Sequence, residues 1–396
     1  MNTEKKILIQ KTFLYRLKPT LVQKTKCMQF AGARRFIYNH GLNLVKTAFD
    51  NKLKIPSYTD IANTLPLLKN NSDTSWLKDI HSQVLQQTLK DLETAIKNFF
   101  RGLKTKKKIG FPAFKKKGKN DSFRYPQGVK CKDGKIWLPK IGWVAYYDSQ
   151  PLEGIIKQVT VKRQGIHWYV AIVCEVEQIV TVVPITAEKT IGLDLGLSHF
   201  ASISDGSVIE NQSFLKKELR KLAYLQRSVS RKKKGSNNRK KSVAKVVKKH
   251  IDIFNQRKNF AHQLSHTLVK NHDAIVVEDL CIKGMVQNRH LSRAISDVGW
   301  GMFLNFLKYK CFWYGKHFLQ INRFFPSSKI CSSCGCQQEM PLEMRTYQCK
   351  NCGIQIDRDL NASLNIRAAG LAVFNACGGL EVALPSEAGI TDSKNR

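Results

Sequence analysis

The chain has 396 residues, 42% hydrophobic and 24% charged, a composition that excludes a disordered or fibrous protein and leaves room for two or three domains with cores of their own. Lys and Arg total 66 against 30 Asp and Glu, a formal charge of +36, which favours a polyanionic partner, nucleic acid first, through counterion release. No apolar run approaches the about 20 residues that span a bilayer, so no membrane role is expected.

The start, Met1-Asn-Thr-Glu-Lys-Lys6, lacks the apolar segment of a signal peptide, so the expected setting is cytoplasmic. The 11 cysteines are then expected as thiols or metal ligands rather than disulfides. Residues 7–17 alternate loosely and stop at Lys18-Pro19-Thr20, which reads as a strand. From Leu21 to about Phe100 the pattern is helical, clearest where Leu85, Leu89, Leu92, Ile96 and Phe99 share one face. Arg101–Asn120 is rich in Lys and Arg without an acid, and is interrupted by Gly110-Phe-Pro-Ala-Phe114. That is a loop whose aromatics are candidates for stacking on bases.

Short β-like runs follow: 135–138, 142–147, 158–161 and 168–174, divided by turn pairs such as Asp133-Gly134 and Gln164-Gly165. They predict a small barrel or sandwich. With a strand before the helical block and strands after it, the helices read as an insertion into this β domain.

A new domain opens near Lys189. Thr190–Leu195 and His199–Ser204 read as strands, and Asp205-Gly206 as a hairpin turn into Val208-Ile209. A basic helical stretch follows, without an acid from Leu219 to Ile251 and broken into two helices at Gly235-Ser-Asn-Asn238. Ile251, Phe254, Ala261, Leu264 and Leu268 mark another amphipathic helix, leading to the strand Ala274–Val277, and a further helix is expected over about Leu291–Tyr314. This order of three strands, helices and a strand is the layout of a ribonuclease H-like core.

Three segments of this region each deliver a carboxylate. Asp194 ends Ile191-Gly-Leu-Asp194, Glu278 with its neighbour Asp279 ends Ala274-Ile-Val-Val-Glu278, and Asp359 follows Asp357 in Asp357-Arg-Asp359-Leu-Asn361. Hard oxygen ligands at the edge of a buried sheet suit a pair of Mg²⁺ ions acting on a phosphodiester. Asp194 is the expected bridge between the ions, with Gly192 and Gly196 allowing close approach of backbone and nucleic acid. Glu278 and Asp359 would each hold one ion. A lone Asp at a strand end is more often a turn or cap residue, and spacing alone does not separate Asp357 from Asp359, nor Glu278 from Asp279.

Cys331-Ser-Ser-Cys334-Gly335 and Cys349-Lys-Asn-Cys352-Gly353 are two knuckles that turn four thiolates toward one tetrahedral zinc. Four thiolates leave no open position, so Zn²⁺ there is structural. Cys336 is a spare thiol that could compete as a ligand. Cys27, Cys131, Cys174, Cys281, Cys311 and Cys377 show no ligand spacing.

With these residues in place the chain resembles TnpB, the OrfB protein of insertion sequences, related to the type V CRISPR nucleases. Phe13-Leu-Tyr-Arg-Leu-Lys-Pro19 and Arg34-Arg-Phe-Ile-Tyr-Asn39 resemble the family's opening. Trp76-Leu77, Ser82-Gln-Val-Leu-Gln-Gln87 and Asn98-Phe-Phe100 resemble its recognition helices. Gly110-Phe-Pro-Ala-Phe114 with Ser122-Phe-Arg-Tyr125 resembles its basic linker. Gly192-Leu-Asp194-Leu-Gly196, Val277-Glu278-Asp279-Leu280 and Asp359-Leu-Asn361-Ala-Ser-Leu-Asn365-Ile366 resemble the three RuvC motifs, with Phe325-Pro-Ser-Ser-Lys329 and the cysteine knuckles beside them. Ser363 stands where alanine is common.

The resemblance implies a multidomain α+β protein: a wedge-like β-barrel (1–20 and 121–185) with an inserted helical recognition domain and basic linker (21–120). A RuvC nuclease (186–324 and 356–376) with an embedded zinc knuckle (325–355) and a tail (377–396) would follow. It implies an Mg²⁺-dependent, RNA-guided endonuclease acting as a monomeric ribonucleoprotein in a prokaryotic cytoplasm, associated with the nucleoid. Its partners would be a guide RNA from the transposon end and target double-stranded DNA carrying a short target-adjacent motif. The family pattern selects Asp359 over Asp357. By the same analogy Ser82, Gln83, Gln86 and Gln87 are candidates to read that motif. Lys106, Lys107, Lys115, Lys116, Arg231, Lys232 and Lys233, in the basic runs, are candidates for phosphate contacts. All three acids are present and no HNH-like insertion separates Asp194 from Glu278, unlike the IscB and Cas9 branch. A strand-transferring transposase on the same core, or a nucleic-acid-binding repressor, are the competing readings.

Overall fold

The first strand, β1 (Glu4–Lys18), ends where Pro19 removes a ladder donor, and Thr20 starts helix α1 (Leu21–Asp50). Thr20 Oγ1 accepts the Gln23 N–H at 3.3 Å and Gln23 Oε1 accepts the Thr20 N–H at 3.0 Å, a reciprocal cap. The computed structural model describes residues 4–105, 109–341 and 343–376. Lys106, Lys107, Cys377 and the tail 377–396 lie outside the described residues. Two compact units emerge, one of residues 8–177 and one of residues 178–376 together with residues 4–7.

In the first unit, α2 (Tyr58–Ala62), α3 (Thr64–Asn70), a 3₁₀ turn (Ser72–Asp79) and α4 (Ser82–Lys104) follow α1. Leu85, Leu89 and Leu92 of α4 are buried, the last against Tyr38 and Leu42 of α1. Asp91 ties the helices to the sheet, accepting from Arg34 of α1 at 3.1 Å and from Arg124 at 2.7 Å. Phe111, expected to stack on bases, instead packs against Phe49 and Phe99, with ring centroids 6.0 and 5.2 Å apart. An aromatic beside an unfilled helix pair loses more apolar exposure there than in solvent.

The strands are β2 (Ser122–Tyr125), β3 (Lys130–Lys132), β4 (Lys135–Leu138), β5 (Gly142–Tyr146), β6 (Ile155–Gln164) and β7 (His167–Thr181). With β1 they form one seven-stranded sheet in the order β2-β6-β7-β1-β5-β4-β3. Among the described residues its edges β2 and β3 do not pair, so the sheet is open where a closed barrel was expected. Alternation reports which side of a strand is buried, not whether two edges meet. Ser122–Tyr125, which resembles part of the family's basic linker, is a strand, with Phe123 and Tyr125 buried while Arg124 reaches Asp91.

In the second unit, β8 (Thr190–Asp194), β9 (His199–Ile203) and β10 (Val208–Glu210) are antiparallel. Helices α5 (Phe214–Ser230) and α6 (Asn237–Asn271) lead to β11 (Ala274–Glu278). Then come α7 (Ile282–Met285), α8 (Ser292–Val298), α9 (Trp300–Trp313) and β12 (His317–Ile321). Strands β11 and β12 run parallel to β8, in the order β10-β9-β8-β11-β12. Four of the five residues of β8 and of β11 are fully enclosed, as central strands covered on both faces require. Strands β13 (Thr346–Gln348) and β14 (Gln355–Asp357) form a small ribbon before the last helix, α10 (Arg358–Ala376).

Two helix boundaries differ from the sequence reading. The basic stretch from Asn237 and the amphipathic one after Ile251 are a single 35-residue helix, since nothing between them breaks the backbone. The helix expected over 291–314 is two, parted at left-handed Gly299. That bend places buried Asp297 2.7 Å from Arg257 and 3.0 Å from the Leu215 N–H, where it caps α5 from outside.

Candidate functional site

Asp194 and Glu278 are the last residues of neighbouring parallel strands, with Leu193 opposite Val277, so both acids emerge at the same end of the sheet. Helix α10 crosses these strands, and Gly192 sets how closely. A Cβ at Gly192 would lie 2.2 Å from the Ser363 carbonyl oxygen and 2.6 Å from the Arg367 nitrogen. Of the close approaches expected at Gly192, by backbone and by nucleic acid, the room there is taken by backbone, that of the chain's own helix.

That approach brings the first turn of α10, with Asp359, to the two strand ends. Asp357 is occupied otherwise: its Oδ1 accepts the N–H groups of Asp359 and Leu360, each at 2.9 Å, as the helix N-cap. Asp279 is likewise engaged, in an ion pair with exposed Arg323. Glu278 accepts a 2.6 Å hydrogen bond from Ser327 Oγ. The Arg345 guanidinium stands 4.0 Å from Asp359.

Burial, then the charges of Glu278 and Asp359, push the Asp194 carboxyl up to about 7, with Arg358 pulling the other way. Burial also raises Glu278, and the Ser327 hydrogen bond opposes it. A half-buried cluster of carboxylates that repel one another is a hard-oxygen donor set matched to divalent cations such as Mg²⁺. Among the described residues only the four cysteines form a group of three or more Cys, His, Asp or Glu side chains whose ligand atoms all lie within 4.8 Å of one another.

Cys331, Cys334, Cys349 and Cys352 form that compact set, with Cys331–Cys352 and Cys334–Cys349 sulfur separations of 3.6 Å. Tetrahedral zinc with Zn–S bonds of about 2.3 Å needs sulfurs about 3.8 Å apart, and a disulfide needs about 2 Å. The donor set fits zinc. Gly335 and Gly353 donate back to the carbonyls of Cys331 and Cys349 at 2.9 and 3.0 Å, closing two equivalent turns. Cys336 stays outside the quartet, its thiol near the Gln337 carbonyl.

Sequence reasoning missed what fastens this cluster to the acids. Asn361 and Asn365, buried on α10, both donate to the Ile330 carbonyl at 2.7 Å. Asn365 also donates to the Ser327 carbonyl at 2.8 Å, and Asn361 accepts from the Ser332 N–H at 2.9 Å. One helix turn thus holds the segment that carries both Ser327 and Cys331. Phe325-Pro-Ser-Ser-Lys329 was noticed only as a pattern; no local signal ties it to Glu278.

The nucleic-acid candidates are scattered. Ser82 and Gln86 are exposed on the first turns of α4, Gln83 is half-buried, and Gln87 lies 3.4 Å from Asp91. The Lys115 backbone is clamped by Asn39, and its ammonium sits 4.0 Å over the Tyr38 ring, whereas Lys116 is exposed. Arg231 and Lys233 are exposed in the turn between α5 and α6, while Lys232 bonds back to Ser228.

Fold and site together define the class, a mixed α/β chain with paired strand-end acids and a cysteine-cluster insertion. A solved structure described as "Cryo-EM structure of the Cas12f1-sgRNA-target DNA complex" shares this fold, with a TM-score of 0.55 at 14% identity over 91% of this chain and 99% of that one. At 39% and 36% identity to two relatives, with more than nine-tenths of each covered, the chain belongs to the TnpB (OrfB) family. Two relatives carry the name "Putative RNA-guided DNA endonuclease". InsQ of Escherichia coli K12 is 39% identical over 92% of this chain and 93% of its own. A protein of Streptomyces pristinaespiralis is 36% identical over 93% and 91%. Family models match residues 171–289 ("Probable transposase"), 300–366 ("Cas12f1-like, TNB domain") and 9–54 ("Helix-turn-helix domain"). Over 9–54 the structure has a strand and the uninterrupted helix α1 rather than two helices and a turn.

Proposed function

We propose that the chain is an RNA-guided DNA endonuclease with a ribonuclease H-like (RuvC) core. It cleaves double-stranded DNA beside a short target-adjacent motif. The observation that carries this is the meeting of Asp194 and Glu278 at adjacent parallel strand ends under the first turn of α10, which bears Asp359. The names of the relatives at 39% and 36% identity support the RNA-guided reading.

In this reading Asp194, Glu278 and Asp359 hold two Mg²⁺ ions, which when bound supply the positive charge that a phosphodiester needs as water attacks it. The chain's own part is to aim the three carboxylates. Ser327 does this for Glu278 by hydrogen bonding, and the cap at Asp357 does it for Asp359 by fixing the helix start. The four cysteines hold one structural Zn²⁺. The basic runs hold guide RNA and heteroduplex by their phosphates, and Ser82, Gln83, Gln86 and Gln87 face the target-adjacent motif.

The test is to purify the protein, sequence any RNA bound to it, and offer a plasmid matching the variable end of that RNA, with and without Mg²⁺. Guide-dependent, Mg²⁺-dependent cutting that Glu278→Ala abolishes while RNA stays bound is the expected result. Absence of bound RNA, or cutting that ignores the guide, overturns the proposal, and joining of transposon ends without RNA replaces it by strand transfer.

A further inference from the structure

We propose that the outward face of β3, β4 and β5 is a stacking site for unpaired nucleotides of RNA. The register puts Lys130, Trp137 and Trp143 in one row across the three strands. The next row on the same face is Lys132, Lys135, Ala145 and, on β1, Lys18. The opposite face, with Ile136, Leu138 and Val144, is buried in the core of the unit.

Trp137 and Trp143 remain 37% and 42% exposed, their ring centroids 5.7 Å apart and tilted by 60°. Large aromatics left this exposed side by side are unusual on a soluble surface and mark a contact site. Tyr147 at the border is already covered by cations, with Lys18 4.0 Å and Arg16 5.2 Å from its ring. The two indoles therefore offer the open π faces, and the lysines of both rows supply the charge for a backbone passing over them. Aromatic faces inside a basic surface match bases that have left a duplex, because every base has a π face and every nucleotide a phosphate. A protein partner of ordinary composition would meet a cationic rim with no complementary charge.

A cross-strand indole pair also stabilises a hairpin by itself, so the experiment has to read stacking directly. That the ligand is RNA rests on the proposed function; the stacking itself does not. The full chain is irradiated with a short 5-iodouridine oligoribonucleotide, and crosslinked peptides are mapped by mass spectrometry. Affinity for oligouridylate, oligodeoxythymidylate and an RNA duplex is measured in parallel at raised salt, where phosphate contacts are weakened.

Crosslinks at Trp137 or Trp143 are expected, with a loss of about 5- to 150-fold in oligouridylate affinity for each Trp→Ala change and little change for the duplex. Trp137→Phe and Trp143→Phe, which keep a ring in the hairpin, should retain most of the affinity. Crosslinks confined to other residues overturn the proposal. So does equal loss for single strand and duplex, or a Trp→Ala effect confined to the melting temperature. Tighter binding of oligodeoxythymidylate overturns the RNA assignment and makes the face a single-stranded DNA site. Guided cutting is scored separately, so its failure with stacking intact sinks the proposed function and leaves the stacking site standing.

Discussion

Ser327 donates a 2.6 Å hydrogen bond to Glu278 across 49 residues of sequence. Ser327 is buried, and its backbone carbonyl is held by Asn365 at 2.8 Å. A fixed donor on a fixed backbone orients the carboxylate and favours its ionised form. Removing a hydrogen bond to a charged group costs about 1.5–3 kcal/mol, so Ser327→Ala should slow cleavage about tenfold or more. It should also shift the acid limb of the pH–rate profile to higher pH, as the Glu278 pKa rises. Ser327→Thr keeps the hydroxyl and should restore both. An unchanged profile for Ser327→Ala would remove Ser327 from the mechanism.

Asn361 and Asn365 link the cysteine cluster to that serine. Each side chain is buried, so truncating Asn365 strands the Ser327 carbonyl and truncating Asn361 strands the Ser332 N–H, while the Ile330 carbonyl keeps one of its two donors. The cost of each such buried group is about 1–3 kcal/mol. Asn365→Ala should lower the melting temperature and speed amide exchange at residues 327–332. Withdrawing zinc with a chelator should speed exchange in the same segment of the unmutated chain, because the knuckle at Cys331 anchors its far end. If chelation leaves exchange there untouched, the cluster does not brace the acids.

Asp194 carries a sign that can be checked without measuring cleavage. Its carboxyl is raised from the ordinary 3.8 to about 7, so between those values the folded chain binds more protons than the unfolded one. Stability contributed by this group is then greatest at the acid end and falls as pH rises through the window. Asp194→Asn should flatten that part of the melting-temperature profile in magnesium-free buffer. Mg²⁺ favours the ionised carboxylates, so it should raise the melting temperature more at pH 8 than at pH 5. Equal shifts at both pH values would count against divalent binding at Asp194.

What was legible in the sequence follows from the range of the forces involved. Local rules sufficed for the strand stop at Pro19, the Asp133-Gly134 turn, the buried runs ending in Asp194 and Glu278, and the two cysteine knuckles. Contacts between distant segments were not legible. Phe111 read as an exposed aromatic until α1 and α4 supplied a place to bury it. Gly192 read as a place of close approach, but that the approaching backbone is α10 could be seen only in the fold. Gly299 broke a helix whose apolar pattern continues through it, because Asp297 had to reach Arg257 and the start of α5. The acids themselves were visible, and the serine and two asparagines stood inside motifs that the resemblance picked out, but that they hold the site together shows only in their partners.

The same contrast separates the two acids that spacing left undivided. Asp357 accepts two backbone N–H groups at the start of α10, which is structural work, whereas the Asp359 carboxylate has the Arg345 guanidinium 4.0 Å away. An N-cap lost to alanine costs about 0.5–2 kcal/mol, while asparagine caps nearly as well as aspartate. Asp357→Ala should therefore lower the melting temperature, and Asp357→Asn should leave both stability and cutting close to the unmutated chain. Asp359→Asn should do the reverse. It relieves the repulsion that raises Asp194, so stability without metal should hold or increase, and cutting should be lost while RNA binding persists. Paired melting curves and guided cleavage assays on the three variants decide it. Cutting abolished by Asp357→Asn and retained by Asp359→Asn would exchange the roles of the two residues.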